Sequence, residues 1–216
     1  TRAATLKPSQ PLSASTTYTA TVTGGSGGVA DLAGNRLASS VVWSFTTAAV
    51  STNAPVTIWT ATARPAAVAT NDPSAVELGL KFKSDVAGTV VGVRFYKGQS
   101  TTGTHIGTLW SSTGTKLATA TFTNESATGW QQVNFATPVA ISANTVYVIS
   151  YHTNVGNYPY TATYFGSAGV DSGPLHALSN SAAGGNGVYR YSTSVAFPAS
   201  TFNSNNYWVD VVFVPQ

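Results

Sequence analysis

The chain has 216 residues, of which 43% are hydrophobic and only 8% charged, with a formal net charge of +3 and neither Cys nor Met. This rules out disulfides, a thiolate zinc site and a cysteine nucleophile. The basic residues are scattered singly, whereas nucleic-acid binding wants them clustered on one face, and no apolar run approaches the roughly 20 residues of a membrane-crossing helix, so neither nucleic acid nor membrane insertion is expected.

Thr and Ser number 32 and 24, Leu only ten. Thr, Val, Tyr, Phe and Trp suit a pleated, half-buried surface, and the 20 Gly and 10 Pro fall mostly between alternating runs, where strands need turns. The chain opens on Thr with no basic-then-apolar leader, so it reads as an interior or processed piece. The first expected strands are residues 16–25 (TTYTATVTGG) and 41–47 (VVWSFTT). The segment between them is too rich in Gly for a long helix, and Asp31 to Asn35 (DLAGN) reads as a short turn carrying a small apolar plug. Residues 48–55 (AAVSTNAP) read as a linker. Beyond it, strands are expected near 56–62, 75–83, 88–96, 105–110, 116–122, 129–135, 145–152, 160–165, 187–191 and 206–214, separated by turn signals such as NDPS, SSTG and NVGNYP. This pattern fits an all-β fold: a jelly-roll-like antiparallel β-sandwich over 56–216, preceded by a smaller β module over 1–47.

Two resemblances accompany this pattern. The run PLSASTTYTATVTGG to WSFTT, with its DLAGN turn, resembles the C-terminal half of a bacterial Ig-like domain of the surface-layer type. A whole domain of that kind needs about seven strands and ~100 residues. The resemblance therefore implies a partial module, which must borrow surface from its neighbour, swap with another copy or stay partly disordered. Residues 56–214, through blocks such as GLKFKSDVAGTVVGVRFYKG, HIGTLWSSTGTKLATATF, PLHAL and NYWVDVVF, resemble the bacterial domain-of-unknown-function family 4082. That resemblance implies a texture similar to carbohydrate-binding modules, found beside Ig-like repeats in large extracellular proteins. A secreted or cell-surface location follows by association.

Period-two alternation places Val76, Leu78, Leu80 and Phe82 on one face of their strand, and Val91, Val93 and Phe95 on one face of the next. If the strands are neighbours, Glu77, Arg94, Tyr96, Trp208 and Asp210 share the other face, with His152 and Gln132 as further members. Such a patch could hydrogen-bond sugar hydroxyls around Arg94 and Tyr96; equally, Arg94 and a carboxylate could simply cover the sheet. The loop 153–161 offers Tyr158 and Tyr160 around Pro159, with His152 and Asn157 at the margin, as a stacking platform for sugar rings. The alternative is that these tyrosines close the end of the core. Trp59, Trp110 and Trp130 read as core or core edge.

Asn71, Asp72, Glu77 and Asp210 could supply oxygens to a structural calcium, although Asn-Asp-Pro is also an ordinary turn starter. No cofactor is required. His105, His152 and His176 have no metal-ligand spacing. With seven carboxylates and no evident facing pair, and with no G-x-S-x-G, an enzyme is not expected. The reading is a non-catalytic extracellular carbohydrate-binding or adhesion module whose partners are a polysaccharide or surface glycan and the neighbouring domains of the same polypeptide. The alternative is a structural spacer without a ligand.

Overall fold

The computed structural model describes residues 8, 12–13, 15–47 and 54–216. The expected linker, 48–55, lies outside the described residues except for 54 and 55. The chain divides into two units, Thr1–Thr52 and Asn53–Gln216. Among the described residues there is no helix, and every strand pairing is antiparallel.

Among its described residues the first unit contains one strand pair, β1 (Thr17–Val22) and β2 (Val41–Thr46). The alternation of β1 gives a half-buried stripe at Tyr18, Ala20 and Val22, and Tyr18 stacks on Phe45 with ring centroids 5.9 Å apart. β2 is exposed along its whole length, including Trp43 and Phe45. The DLAGN turn is built by Asp31, whose carboxylate accepts the backbone N–H groups of Ala33 and Asn35, each at 2.9 Å, and the Asn35 amide at 3.0 Å. Leu32 is not a plug: it is 90% exposed.

The second unit is a two-layer sandwich. Its larger sheet runs β12 (Ser200–Thr201), β11 (Val188–Tyr191), β3 (Val76–Ser84), β8 (Tyr147–Thr153), β5 (His105–Ser111) and β6 (Lys116–Thr121). Two short strands, β9 (Val170–Ser172) and β10 (Leu175–Ala177), continue from the far end of β3. The smaller sheet runs β13 (Val209–Pro215), β4 (Gly88–Lys97) and β7 (Gly129–Ile141). Apart from the β5–β6 hairpin, successive long strands alternate between the sheets, giving the jelly-roll-like connectivity.

The core lies between the layers. Val76, Leu78, Leu80 and Phe82 from β3 meet Val93 and Phe95 from β4 and Val209, Val211 and Phe213 from β13. The alternation holds along β3, but a register shift between Val90 and Gly92 puts Val90 rather than Val91 in the core. At Gly107 the two layers approach closely, since a Cβ there would lie 2.0 Å from Val93 Cγ1.

Two expected strands are not strands. Residues 56–62 make a single bridge, Val56 to Phe213, and 160–165 are held by the isolated bridges Ala67–Tyr160 and Thr161–Asn206. Both segments have their side chains claimed by the tertiary structure, which overrides their β-propensity.

Candidate functional site

The expected polar face divides between two sheets. Glu77 lies on the outer face of the larger sheet, whereas Arg94, Tyr96 and Asp210 lie on the smaller one. Period two fixes which way a side chain points from its strand, not which sheet the strand joins. Arg94 and Asp210 form an ion pair at 2.6 Å. Asp210 also accepts the backbone N–H groups of Ile58 at 3.0 Å and Trp59 at 3.1 Å, and Arg94 donates to the Trp59 carbonyl.

Three tryptophans close over this pair. Trp59 and Trp130 stack at 6.4 Å, Trp208 lies 5.8 Å from Trp59, and the Arg94 guanidinium sits 4.3 Å from the Trp130 ring centre. Each indole N–H is satisfied: Trp59 donates to the Tyr164 hydroxyl, Trp130 to the Ala63 carbonyl and Trp208 to the Thr161 hydroxyl. Tyr96 packs edge-on against Trp130. The patch around Arg94 and Tyr96 is therefore filled by the chain's own segment 56–63, and it fastens that segment to the sheet.

The four expected calcium ligands do not converge. Asp210 is committed to Arg94 and segment 58–59, and Glu77 lies outside the opposite sheet. Asp72 closes a turn, accepting the Ser74 N–H at 3.0 Å and the Tyr191 hydroxyl, beside an exposed Asn71. Among the described residues, no three His, Cys, Asp or Glu side chains are grouped to hold a metal ion.

Tyr158 and Tyr160 do come together, in a larger arrangement than the loop suggested. They line a cleft of about 340 Å³ with Tyr189, Tyr191, Tyr207, Phe202, Thr70 and Asn205. Tyr189 and Tyr191 lie two residues apart on β11, opposite Leu78 and Val76 of β3, so they extend the core-side layer outward. Tyr207 is set by an unusual backbone: Asn203, Ser204 and Trp208 all have positive φ, 49°, 49° and 55°. Only a locally over-determined segment holds non-glycine residues there. Here it lets Tyr207 join the cleft while the adjacent Trp208 joins the tryptophan cluster. Gly187 makes room for this segment, because a Cβ at its φ of +70° would fall 1.7 Å from the Asn205 carbonyl.

The rings support one another edge-on: Tyr158 on Tyr207 at 5.7 Å, Tyr189 on Tyr191 at 5.7 Å and Tyr189 on Tyr207 at 6.4 Å. Burial pushes the Tyr158 and Tyr207 phenols up, so both remain neutral donors. Burial also works against ionisation of Asp72, but hydrogen bonds from Tyr191, Ser74 and Tyr158 outweigh it and hold that carboxyl below its usual range. The Thr70 hydroxyl oxygen is buried and makes no hydrogen bond among the described residues. The cleft thus offers aromatic surface, with Thr70 and Asn205 as the polar residues of its lining.

His152 and Asn157 are not at its margin. His152 is on β8 and donates from Nε2 to the Ser192 carbonyl at 3.0 Å, on the outer face of the larger sheet. Asn157, with φ of 53°, shapes the loop: its N–H donates to the Asp72 carbonyl at 2.7 Å, and its carbonyl accepts from the Thr101 hydroxyl at 2.8 Å. Sequence reasoning missed Tyr189, Tyr191, Phe202, Asn205 and Tyr207. The signal for two of them was the VYRY alternation, which puts Tyr189 and Tyr191 on one side of a short strand.

The chain is thus an all-β protein of two units, a short antiparallel strand pair and an antiparallel sandwich that carries an aromatic cleft. The family model described as Domain of unknown function (DUF4082) matches residues 62–209, and the chain belongs to that family. Residues 1–47 match a bacterial Ig-like domain. Comparison with curated proteins and with solved structures finds no match. Bacterial Ig-like domains often occur in extracellular or surface proteins.

Proposed function

We propose that the second unit is a non-catalytic module that binds a polysaccharide or surface glycan in the tyrosine cleft, as part of a secreted or cell-surface protein. The observation that carries this reading is the convergence of five tyrosines and Phe202 on one cleft, with the Thr70 hydroxyl and Asn205 among them. Sugar rings present C–H groups that stack on aromatic faces, while their hydroxyls need donors and acceptors of the kind that phenols and amides supply. The volume lies within the range of small-ligand sites.

The commitments of the carboxylates support a non-catalytic role. Glu125 pairs with Lys97 and His105, Asp85 and Asp171 flank His176, Asp210 pairs with Arg94, and Asp72 is tied to Tyr191. Glycoside hydrolysis by the usual route needs two carboxyl groups across a cleft, and no pair faces the other across this one among the described residues. The test is a glycan-array screen of the full chain, followed by calorimetry on any ligand found. Tyr191→Ala and Phe202→Ala, at side chains 53% and 57% exposed, should each weaken binding at least tenfold while leaving the melting temperature nearly unchanged. If no glycan binds, the module is a structural spacer and this reading falls.

A further inference from the structure

Tyr191 lines the tyrosine cleft; two residues on, Thr193 lines a second cavity, of about 470 Å³, on the outer face of the larger sheet. Its floor is Ile106 and His152, cross-strand neighbours on β5 and β8, and its wall is residues 193–195. The hydrogen bond from His152 Nε2 to the Ser192 carbonyl holds that wall against the sheet.

The lining is rich in donors and contains no carboxylate. The Lys116 side chain makes no ion pair or hydrogen bond among the described residues. The Asn154 side chain uses its oxygen to accept the Thr104 N–H at 3.0 Å, which leaves its NH₂ free to donate. The hydroxyls of Thr104, Thr193 and Ser194 make no hydrogen bond among the described residues. In contrast, many exposed hydroxyls elsewhere pair with each other, as Thr17 with Thr46 and Ser111 with Thr113 do.

Glu77 is the cross-strand partner of His152 but does not line the cavity. It is fully buried beneath residues 195–198, where it accepts the Ser150 hydroxyl at 2.6 Å, and burial pushes its carboxyl up to about 8. Burial favours the neutral form of this acid, although the nearby Lys116 charge works against that, and Glu77 makes no ion pair with Lys116.

We propose that this second cavity binds an oxyanion group (carboxylate, sulfate or phosphate) through Lys116 and the amide and hydroxyl donors of Asn154, Thr104, Thr193 and Ser194. Charge-assisted hydrogen bonds of this kind are the strong ones, and the volume is large enough for the group to be carried on a sugar. The site is separate from the tyrosine cleft and does not depend on the glycan reading of that cleft.

The test is titration of the full chain with sodium sulfate, sodium phosphate and sodium glucuronate at constant ionic strength, followed by NMR shifts of the Asn154, Thr193 and Ser194 amides. Saturable shifts are expected, with affinity at least tenfold weaker in Lys116→Ala, absent in Lys116→Glu and unchanged in Tyr191→Ala. Tighter binding of glucuronate than of sulfate or phosphate identifies the source as an acidic sugar; the reverse order identifies a free inorganic oxyanion. Shifts that fail to saturate with all three probes, or an affinity indifferent to Lys116→Ala, overturn the proposal. Lys116 is exposed at the start of an edge strand, so the variants should fold, and a wild-type melting temperature checks that they do.

Discussion

Asp210 on β13 and Arg94 on β4 are register partners, and together they clamp a segment that lies more than thirty residues from either in the chain. The pair is buried, yet its remaining polar capacity is met by the Ile58 and Trp59 backbone, which is the condition under which a buried ion pair is tolerable. Asp210→Ala leaves the guanidinium beneath the tryptophans without its counter-charge. The expected loss is about 3–5 kcal/mol in urea unfolding, with altered tryptophan fluorescence from Trp59, Trp130 and Trp208. The double variant Arg94→Met/Asp210→Leu removes the unpaired charge but leaves the Ile58 and Trp59 backbone groups without these partners, so it should recover only part of the loss. A loss below about 1 kcal/mol, typical of an exposed pair, would show that the clamp contributes little.

Glu77 sets a different pH dependence from an ordinary surface acid. Its folded value is about 8 against an ordinary 4.5, so the native state keeps a proton that the unfolded chain releases between those values. Stability attributable to Glu77 is therefore full below 4.5 and falls as pH rises toward 8. Glu77→Gln has no proton to lose, and its amide can donate to Ser150 Oγ while its oxygen accepts the Ala196 N–H. The variant should melt higher than wild type near pH 8, and the difference should shrink on acidification. A constant difference across the range would show that Glu77 does not keep its proton in the native state.

His176 has the opposite environment. It bridges Asp171 at 2.6 Å and Asp85 at 2.7 Å, and hydrogen bonds to the two carboxylates raise its pKa above 6.5. Stabilisation from the protonated ring is fully present below 6.5 and is lost as pH rises through the raised folded value. His176→Gln should therefore be less stable than wild type near about pH 5 and indistinguishable near about pH 9, where the wild-type ring is uncharged. The ring-proton NMR titration of His176 should give a midpoint above that of a free histidine; a midpoint at or below it would refute the bridge.

The strands and core faces were legible because they depend on local alternation. Leu78 and Phe82 announce their side of β3 whatever the rest of the chain does. What could not be read locally is which strands share a sheet: Glu77 and Arg94 have the same local pattern but end on outer faces of different layers. A register shift, as at Val90, is equally silent, because Val90 and Val91 are the same residue type. The cleft was half legible. Tyr158 and Tyr160 stand in a loop rich in polar residues, but Tyr189, Phe202 and Tyr207 join them only through the β11–β3 pairing and the positive-φ path from Asn203 to Trp208.

The separation of Asn71, Asp72, Glu77 and Asp210 also makes a prediction about ions. A ligand that binds only the native state must raise its stability. With these oxygens on different faces and each already engaged or exposed, excess calcium and a chelator should give the same melting temperature. A calcium-dependent rise would place a site elsewhere in the chain.

Replacing the loop tyrosines should not be a clean test of binding, because they are not equivalent to the outer rings of the cleft. Tyr158 is half-buried against the core, edge-on to Tyr207 and hydrogen-bonded toward Asp72 and Tyr191. Truncating it removes an aromatic contact and buried area, and core aromatics replaced by Ala lose about 3–5 kcal/mol when fully buried. Half burial scales this to roughly 1–3 kcal/mol for Tyr158→Ala. Tyr158→Phe keeps the ring and removes only the hydroxyl, so it should restore most of the stability. The pair separates the two roles of the side chain: if the phenol contacts a ligand, Tyr158→Phe weakens binding while melting near wild type; if the ring alone matters, binding survives. Tyr158→Ala with wild-type stability would mean that the ring is not seated against the core.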